Sequence, residues 1–190
     1  RASGDRGGRG REDDTAARRG PDEQGARRAA VALLVDTSFS MVMEGRWLPM
    51  KRTALALHQL ISTRFRGDDL ALISFGRYAR TLGVGELTGL DGIYEQGTNL
   101  HHALLLAQRH LRRFPNAQPV VLVVTDGEPT AHLDPSGEPF FFYPPHPQTI
   151  ALTVLETAAR MPSGTAITTA RIVAKAMPET MPSSQEPPSS

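Results

Sequence analysis

Three stretches of the chain are apolar almost without interruption. They are 29–35 (AAVALLV), 69–75 (DLALISF) and 119–125 (PVVLVVT). A strand with one solvent-exposed face alternates apolar and polar residues, whereas a strand covered on both faces does not. These runs therefore predict three buried β-strands.

Three other stretches repeat their apolar residues every three or four positions. They cover 48–65, 99–114 and 149–160. This period predicts amphipathic helices with one face turned to a core. Pro49 suits the first turn of the first helix, and Pro115 would stop the second.

Shorter elements are predicted around these. The stretch 77–84 (RYARTLGV) reads as a short strand after a tight turn, and the Gly-rich stretch 85–97 reads as a loop. The stretch 166–173 (AITTARIV) is a candidate last strand. Because strands alternate with helices, we expect a Rossmann-like three-layer α/β sandwich, with a mostly parallel central sheet and helices on both faces.

Composition separates the two ends of the chain from this core. Residues 1–28 mix eight Arg, six acidic residues and six Gly without a hydrophobic period, which predicts a disordered arm or linker. Residues 158–190 read as a low-complexity tail whose one candidate strand is 166–173. The predicted domain therefore covers 29–157.

Bulk properties bear on the class of function. The formal net charge of +1 is too small to favour nucleic acid or an anionic membrane as a partner. The chain has no Cys, which excludes disulfides and thiolate metal sites. No apolar run reaches the length of a membrane span and no signal peptide is visible, so a cytoplasmic location is predicted. The first residue is Arg, which leaves an upstream targeting signal open.

Oxygen-bearing side chains follow two of the predicted strands and begin one helix. Asp36, Ser38 and Ser40 come after the first strand at alternate positions, so an extended loop would point them the same way. Thr98 begins the second helix, and Asp126 follows the third long strand. Ligands of parallel sheets sit at the carboxyl ends of the strands. Two carboxylates and three hydroxyls form a hard-oxygen set suited to Mg²⁺ or Mn²⁺.

This constellation resembles the metal-ion-dependent adhesion site (MIDAS) of von Willebrand factor A (vWA) domains. The family pattern Asp-x-Ser-x-Ser is matched by 36–40 (DTSFS), its separate Thr by Thr98 and its later Asp by Asp126, over about residues 29–157. The resemblance implies that Ser38, Ser40 and Thr98 bind the ion directly, and that one or both Asp act directly or through water. It also implies that the ion recruits an acidic residue of a protein partner, without catalysis.

Within that family, the chain looks most similar to bacterial intracellular members. Those are often associated with AAA-type ATPases of the MoxR or magnesium-chelatase kind. The resemblance implies an adaptor that engages such an ATPase or its client.

Two alternative functions stay open. Asp36 beside Mg²⁺ would suit a phosphotransferase or hydrolase that uses it as a nucleophile. Haloacid-dehalogenase-type sites, however, carry a second Asp where this chain has Ser38. The tail shows no closing helix of a full vWA domain, so a truncated or frame-shifted, non-functional fragment is the other alternative.

Two further groups of residues invite a function. A zinc site is suggested by three histidines of the second helix, His101, His102 and His110. Adjacent residues of a helix diverge by about 100°, and His110 lies two turns or more away, so we expect that they share no ion. The segment 139–145 (PFFFYPP) is expected to close over the sheet edge, with a partner-docking surface as the alternative.

Overall fold

A five-stranded sheet lies at the centre of the structure, a computed structural model that describes residues 28–90 and 96–171. In chain order the elements are β1 (Ala29–Asp36), α1 (Phe39–Met43), α2 (Trp47–Arg64), β2 (Asp69–Phe75), β3 (Ala79–Leu82), α3 (Val84–Gly89), α4 (Leu100–Leu111), β4 (Gln118–Thr125), β5 (Ala131–Leu133), β6 (Pro139–Phe141), α5 (Pro147–Arg160) and β7 (Ala166–Arg171). The predicted arm up to residue 27 and the predicted tail from residue 172 lie outside the described residues.

The strand order of the central sheet is β3-β2-β1-β4-β7. β1 pairs in parallel with β2 and β4, and β4 with β7, whereas β2 and β3 are antiparallel. The predicted class, a mostly parallel three-layer α/β sandwich, is therefore confirmed. The candidate strand at 166–173 is present over Ala166–Arg171, so the central sheet includes residues beyond 157.

β1 supplies side chains to two cores because it lies in the middle of the sheet. Ala30, Ala32 and Leu34 point to one face and belong to the core cluster that includes α4. Leu33 and Val35 point to the other face and belong to the cluster that includes α2 and α3. Since successive side chains of a strand alternate between faces, both faces must be apolar. This explains the uninterrupted apolar run that predicted the strand.

The helices are amphipathic and lie on these two faces. α4 buries Ala103, Leu104, Ala107 and Leu111 and ends at Leu111, earlier than the predicted end at 114. Within residues 28–90 and 96–171, no helix combines the length and the apolarity that crossing a bilayer would require.

The loop predicted at 85–97 is wrong in part, because its first residues form α3. Two of its six residues are Gly, which has a low helix propensity, so the sequence did not predict a helix here. The backbone N–H of Gly83 donates to Oε2 of Glu86 at 2.6 Å, and Leu87 is fully buried. One capping hydrogen bond and one buried side chain thus stabilise a helix whose sequence shows no hydrophobic period.

The aromatic segment 139–145 lies partly in a β-hairpin that the sequence did not indicate. β5 and β6 pair antiparallel, and the hairpin packs against α4 and α5. The ring of Phe140 lies 4.9 Å from the ring of His132, measured between centroids. Tyr143, in contrast, is 77% exposed. Part of the segment is therefore packed and part faces solvent.

Leu34 and Leu60 provide a matched test of the core. Leu34 is fully buried between β1 and α4, whereas Leu60 on α2 is 52% exposed. We expect Leu34→Ala to lower the free energy of unfolding by about 3 kcal/mol, because it removes buried methyl groups and leaves a cavity. Leu60→Ala should cost less than about 1 kcal/mol. Urea denaturation followed by circular dichroism measures both, and equal costs would contradict this placement of β1.

Candidate functional site

Asp36 ends β1 with a carboxylate that is completely buried. Its Oδ1 accepts a hydrogen bond from the backbone N–H of Ser38 at 2.9 Å, and its Oδ2 accepts one from the hydroxyl of Thr125 at 2.6 Å. Burial nevertheless raises the pKa of Asp36 to about 6, because it penalises the charged form more than the bonds from Ser38 and Thr125 favour it. The carboxylate therefore ties β1 to β4 while its negative charge is incompletely compensated.

Ser38 and Ser40 meet through the start of a helix, so the extended loop predicted for them is wrong. Ser38 has extended backbone angles and is the N-cap of α1, and its carbonyl accepts the N–H of Met41 at 3.1 Å. Ser40 lies inside α1. The two hydroxyl oxygens are 3.1 Å apart. The turn into the helix brings the hydroxyls together more closely than an extended loop would.

Asp126 extends this network to the end of β4. Its Oδ1 accepts the hydroxyl of Ser40 at 3.2 Å, and its Oδ2 accepts NH1 of Arg46 at 3.1 Å. Its side chain is 2% exposed, so both oxygens point into the structure. Arg46 also forms an ion pair with Glu44. Four of the five predicted residues, Asp36, Ser38, Ser40 and Asp126, thus lie in one neighbourhood of hydrogen bonds.

Thr98 reaches the same edge of the sheet by a different route. Its N–H donates to the hydroxyl of Thr130 at 2.9 Å, and its carbonyl accepts the N–H groups of Thr130 and Ala131. The next residue, Asn99, donates its N–H to the carbonyl of Gly76, just after β2. These bonds hold the Thr98 backbone against the start of β5 and, through Asn99, against the residue that follows β2. They do not join the Thr98 hydroxyl to the hydrogen bonds among Ser38, Ser40 and Asp126.

Gly97 allows this path of the chain. Its φ of 100° lies in a region that residues with a side chain rarely adopt. A Cβ at Gly97 would also lie 3.2 Å from Cβ of Ala131 and from Cδ2 of Phe141. The β5–β6 hairpin therefore packs against the backbone of the loop that carries Thr98.

The gathered donors are hard oxygens. Asp36 and Asp126 supply carboxylates, and Ser38 and Ser40 supply neutral hydroxyls, which is the chemistry that Mg²⁺ and Mn²⁺ prefer. In the part of the chain that the structure describes, no group of three or more His, Cys, Asp or Glu side chains is placed to hold a metal. A metal site at this edge would combine the two carboxylates with the serine hydroxyls.

Two members of the network were missed from the sequence. Thr125 immediately precedes Asp126, but its hydroxyl points at Asp36, which lies 89 positions earlier. Arg46 lies in the turn between α1 and α2, and only the fold brings it to Asp126, 80 positions later. Neither residue belongs to a motif, so no local signal could have identified them.

The three histidines of α4 have separate structural roles. Nδ1 of His101 accepts the N–H of Leu133, Nδ1 of His102 accepts the N–H of Ala79, and Nε2 of His110 lies 3.2 Å from the carbonyl of Asp69. Their partners lie on three different strands. Each histidine therefore helps to hold α4 against a different strand.

A cavity of about 730 Å³ lies elsewhere, between α4, the β5–β6 hairpin and α5. Its lining includes His101, His132 and Phe140. None of the five predicted site residues lines it, so the oxygen cluster at the sheet edge is separate from this cavity.

Comparison with known protein families matches residues 29–180 to the family described as "Rv0959-like protein, vWA domain". Among curated proteins, the chain is 76% identical over 130 residues to uncharacterized protein Rv0959 of Mycobacterium tuberculosis (strain ATCC 25618 / H37Rv) and to uncharacterized protein Mb0984 of Mycobacterium bovis. The match covers 66% of this chain and 19% of each relative. The chain thus spans about a fifth of the length of these relatives.

Solved structures with a similar fold are distant in sequence. The D319A mutant of the PilB minor pilin from Streptococcus sanguinis matches with a TM-score of 0.59 and 15% identity, over 78% of this chain and 51% of that one. Manganese-loaded Plasmodium vivax TRAP matches with a TM-score of 0.54 and 19% identity, over 77% and 57%. The pilus adhesin SpaC from Lactobacillus rhamnosus GG matches with a TM-score of 0.56 and 14% identity, over 77% and 25%. At these identities the likeness is one of fold.

Thr125→Val tests the bond that joins β4 to Asp36. Valine keeps the shape of threonine but leaves Oδ2 of a fully buried carboxylate without this donor. We expect the free energy of unfolding at pH 8, with a chelator present, to fall by about 1–3 kcal/mol. Thr63→Val, at an exposed position of α2, should change it by no more than about 0.5 kcal/mol. Urea denaturation measures both, and equal effects would contradict the bond.

Proposed function

This chain belongs to the Rv0959-like family of vWA domains, and we propose that it is a metal-dependent protein-interaction module of the MIDAS type. Its ion, Mg²⁺ or Mn²⁺, is held directly by Ser38, Ser40 and Thr98, and by Asp36 and Asp126 either directly or through bound water. The observation that carries this proposal is the chain of contacts from Asp36 through the two serines to Asp126 at the carboxyl edge of the sheet.

The charge at this edge favours a cation. Asp36 is fully buried with a raised pKa, so its ionised form lacks compensating charge. A divalent ion would supply that charge, and the hydroxyls of Ser38, Ser40 and Thr98 would complete its coordination without adding further negative charge. The ion then keeps an affinity for a carboxylate from another protein. The manganese in the TRAP structure, a protein with a similar fold, is an ion with the same preference for oxygen.

The partner that we propose is an AAA-type ATPase of the MoxR or magnesium-chelatase kind, bound in the cytoplasm through an acidic residue on the ATPase. Support for this partner comes from the resemblance to bacterial intracellular vWA proteins. The curated relatives are about five times as long as the matched region, so other parts of such proteins can contribute to the same assembly.

An interaction role is better supported than catalysis at Asp36. Both carboxylate oxygens of Asp36 accept hydrogen bonds, and the side chain is completely buried. A nucleophile must reach its substrate, whereas a carboxylate that orients ligands and offsets charge does not need to. vWA domains are in general interaction modules rather than enzymes.

Metal binding should stabilise the folded chain. At a concentration of 100 times its dissociation constant, Mg²⁺ is expected to add about 2.7 kcal/mol to the free energy of unfolding. For a domain of this size, the melting temperature should rise by roughly 5–10 °C. The rise should be lost in Ser38→Ala/Ser40→Ala and in Asp36→Ala, because each removes oxygen donors. Differential scanning fluorimetry with Mg²⁺ or with a chelator measures it.

Ser62→Ala is the matched control for these variants, because Ser62 is exposed on α2, remote in sequence from the cluster. It should keep the full metal-dependent rise. A rise that persists in Asp36→Ala, or that is equally absent in the control, would argue against the proposed ligands.

Partner binding should depend on the same ion. A purified MoxR-type ATPase from the same genome is expected to be retained by the immobilised chain in Mg²⁺ and released by a chelator. Asp126→Ala should abolish retention, because it removes a carboxylate that holds the ion, while Ser62→Ala should not. Retention that survives the chelator would contradict a metal bridge.

A further inference from the structure

Arg46 places a positive charge inside the candidate metal site. It precedes α2, and its carbonyl accepts the N–H of Met50 at 2.9 Å, which fixes its backbone. From this turn its NH1 reaches Oδ2 of Asp126 at 3.1 Å. The side chain of Arg46 is 19% exposed and that of Asp126 is 2% exposed, so this ion pair is largely shielded from water. The guanidinium therefore balances a carboxylate that the proposed function assigns to a divalent ion.

The same guanidinium is held incompletely. Its second terminal nitrogen pairs with Glu44, whose side chain is 50% exposed. Its Nε is buried without a hydrogen-bond partner among the described residues. An unpaired buried donor costs free energy, so the position of Arg46 against Asp126 is less favourable than a fully bonded ion pair would be. If the guanidinium moves away from Asp126, it can keep its ion pair with the more exposed Glu44.

We propose that Arg46 is an internal counter-ion of Asp126 that opposes divalent cation binding and thereby sets the metal affinity of the site. This inference rests on the proposed function. The positive charge of the guanidinium repels a cation bound at Asp126. A metal ion there must displace the guanidinium or bind against its charge. Either way, filling the site requires a higher concentration of free ion than the oxygen donors alone would.

A purely structural role for Arg46 makes a different prediction. If Arg46 only tied the α1–α2 turn to β4, its loss would lower the stability of the chain and leave the affinity for metal unchanged or weaker. If it is a counter-ion, its loss lowers the stability of the metal-free chain and raises the affinity for metal. Both roles predict a lower stability, so the change in metal affinity is the measurement that separates them.

Isothermal titration calorimetry of the full chain with Mn²⁺ and with Mg²⁺ tests the inference. Arg46→Gln is expected to lower the dissociation constant by at least about tenfold, which is the scale expected when a charge a few ångströms from a bound ion is removed. Arg46→Lys keeps the charge and should stay nearer to wild type. Arg52→Gln, which removes an exposed arginine of α2, is the matched control and should leave the constant unchanged.

Melting of the metal-free protein gives a second measurement. Arg46→Gln should melt below wild type in chelator and should gain more than wild type from added Mn²⁺. If Arg46→Gln does not fold, Arg46→Met is the second variant, with the same tightening expected.

The outcomes separate this inference from the proposed function. Equal or weaker binding of Mn²⁺ by the Arg46→Gln variant, when wild type binds, overturns the counter-ion role alone. Absence of binding in wild type and in all variants at millimolar Mn²⁺ overturns the metal site and the counter-ion role together. Binding that appears only after Arg46 is replaced supports both.

Discussion

The carboxylate of Asp36 must be buried where β1 ends and must still be hydrogen-bonded. An unpaired ionised group in a protein interior is so costly that the surrounding structure has to supply donors. Here one donor comes from the chain that turns away from β1, through the N–H of Ser38, and the other comes from the adjacent strand, through Thr125. The two bonds hold the ends of β1 and β4 together and direct the chain into α1. The positions of both serine hydroxyls follow from that turn.

The parallel arrangement of the sheet brings the remaining parts to this place. β1 lies between β2 and β4, so the loops that leave all three strands emerge at one edge. The N–H of Thr37 donates to the carbonyl of Phe75 at 2.8 Å, and the N–H of Asn99 donates to the carbonyl of Gly76 at 2.8 Å. The chain after β1 and the chain before α4 are thus both tied to the end of β2. Oxygen donors from distant parts of the sequence converge because three strands share a direction.

The balance of charge at the carboxyl edge of the sheet affects both the stability of the fold and the affinity of this edge for a cation. Three charged groups, Asp36, Asp126 and Arg46, lie together with little exposure to water. In a setting of low dielectric, each added or removed charge has a larger effect than it would at the surface. The carboxylate of Asp126 is balanced by the internal guanidinium of Arg46. In the function that we propose, a divalent ion competes for the same carboxylate, and the metal affinity then depends on a residue outside the family motif.

The main strands and helices of the core, and the chemical identity of the oxygen donors, could be predicted from the order of residues along the chain. The apolar run of β1 and the helical period of α4 are local properties, and the family pattern at 36–40 lies within five consecutive residues. The short helix α3 and the β5–β6 hairpin escaped prediction because single tertiary contacts, such as the burial of Leu87, stabilise them. Tertiary structure alone decided that Ser40 contacts Asp126 across 86 positions and that Arg46 lies against the same carboxylate. Those contacts depend on the order of strands in the sheet and on the path of each connecting turn, and no local pattern of residues specifies either.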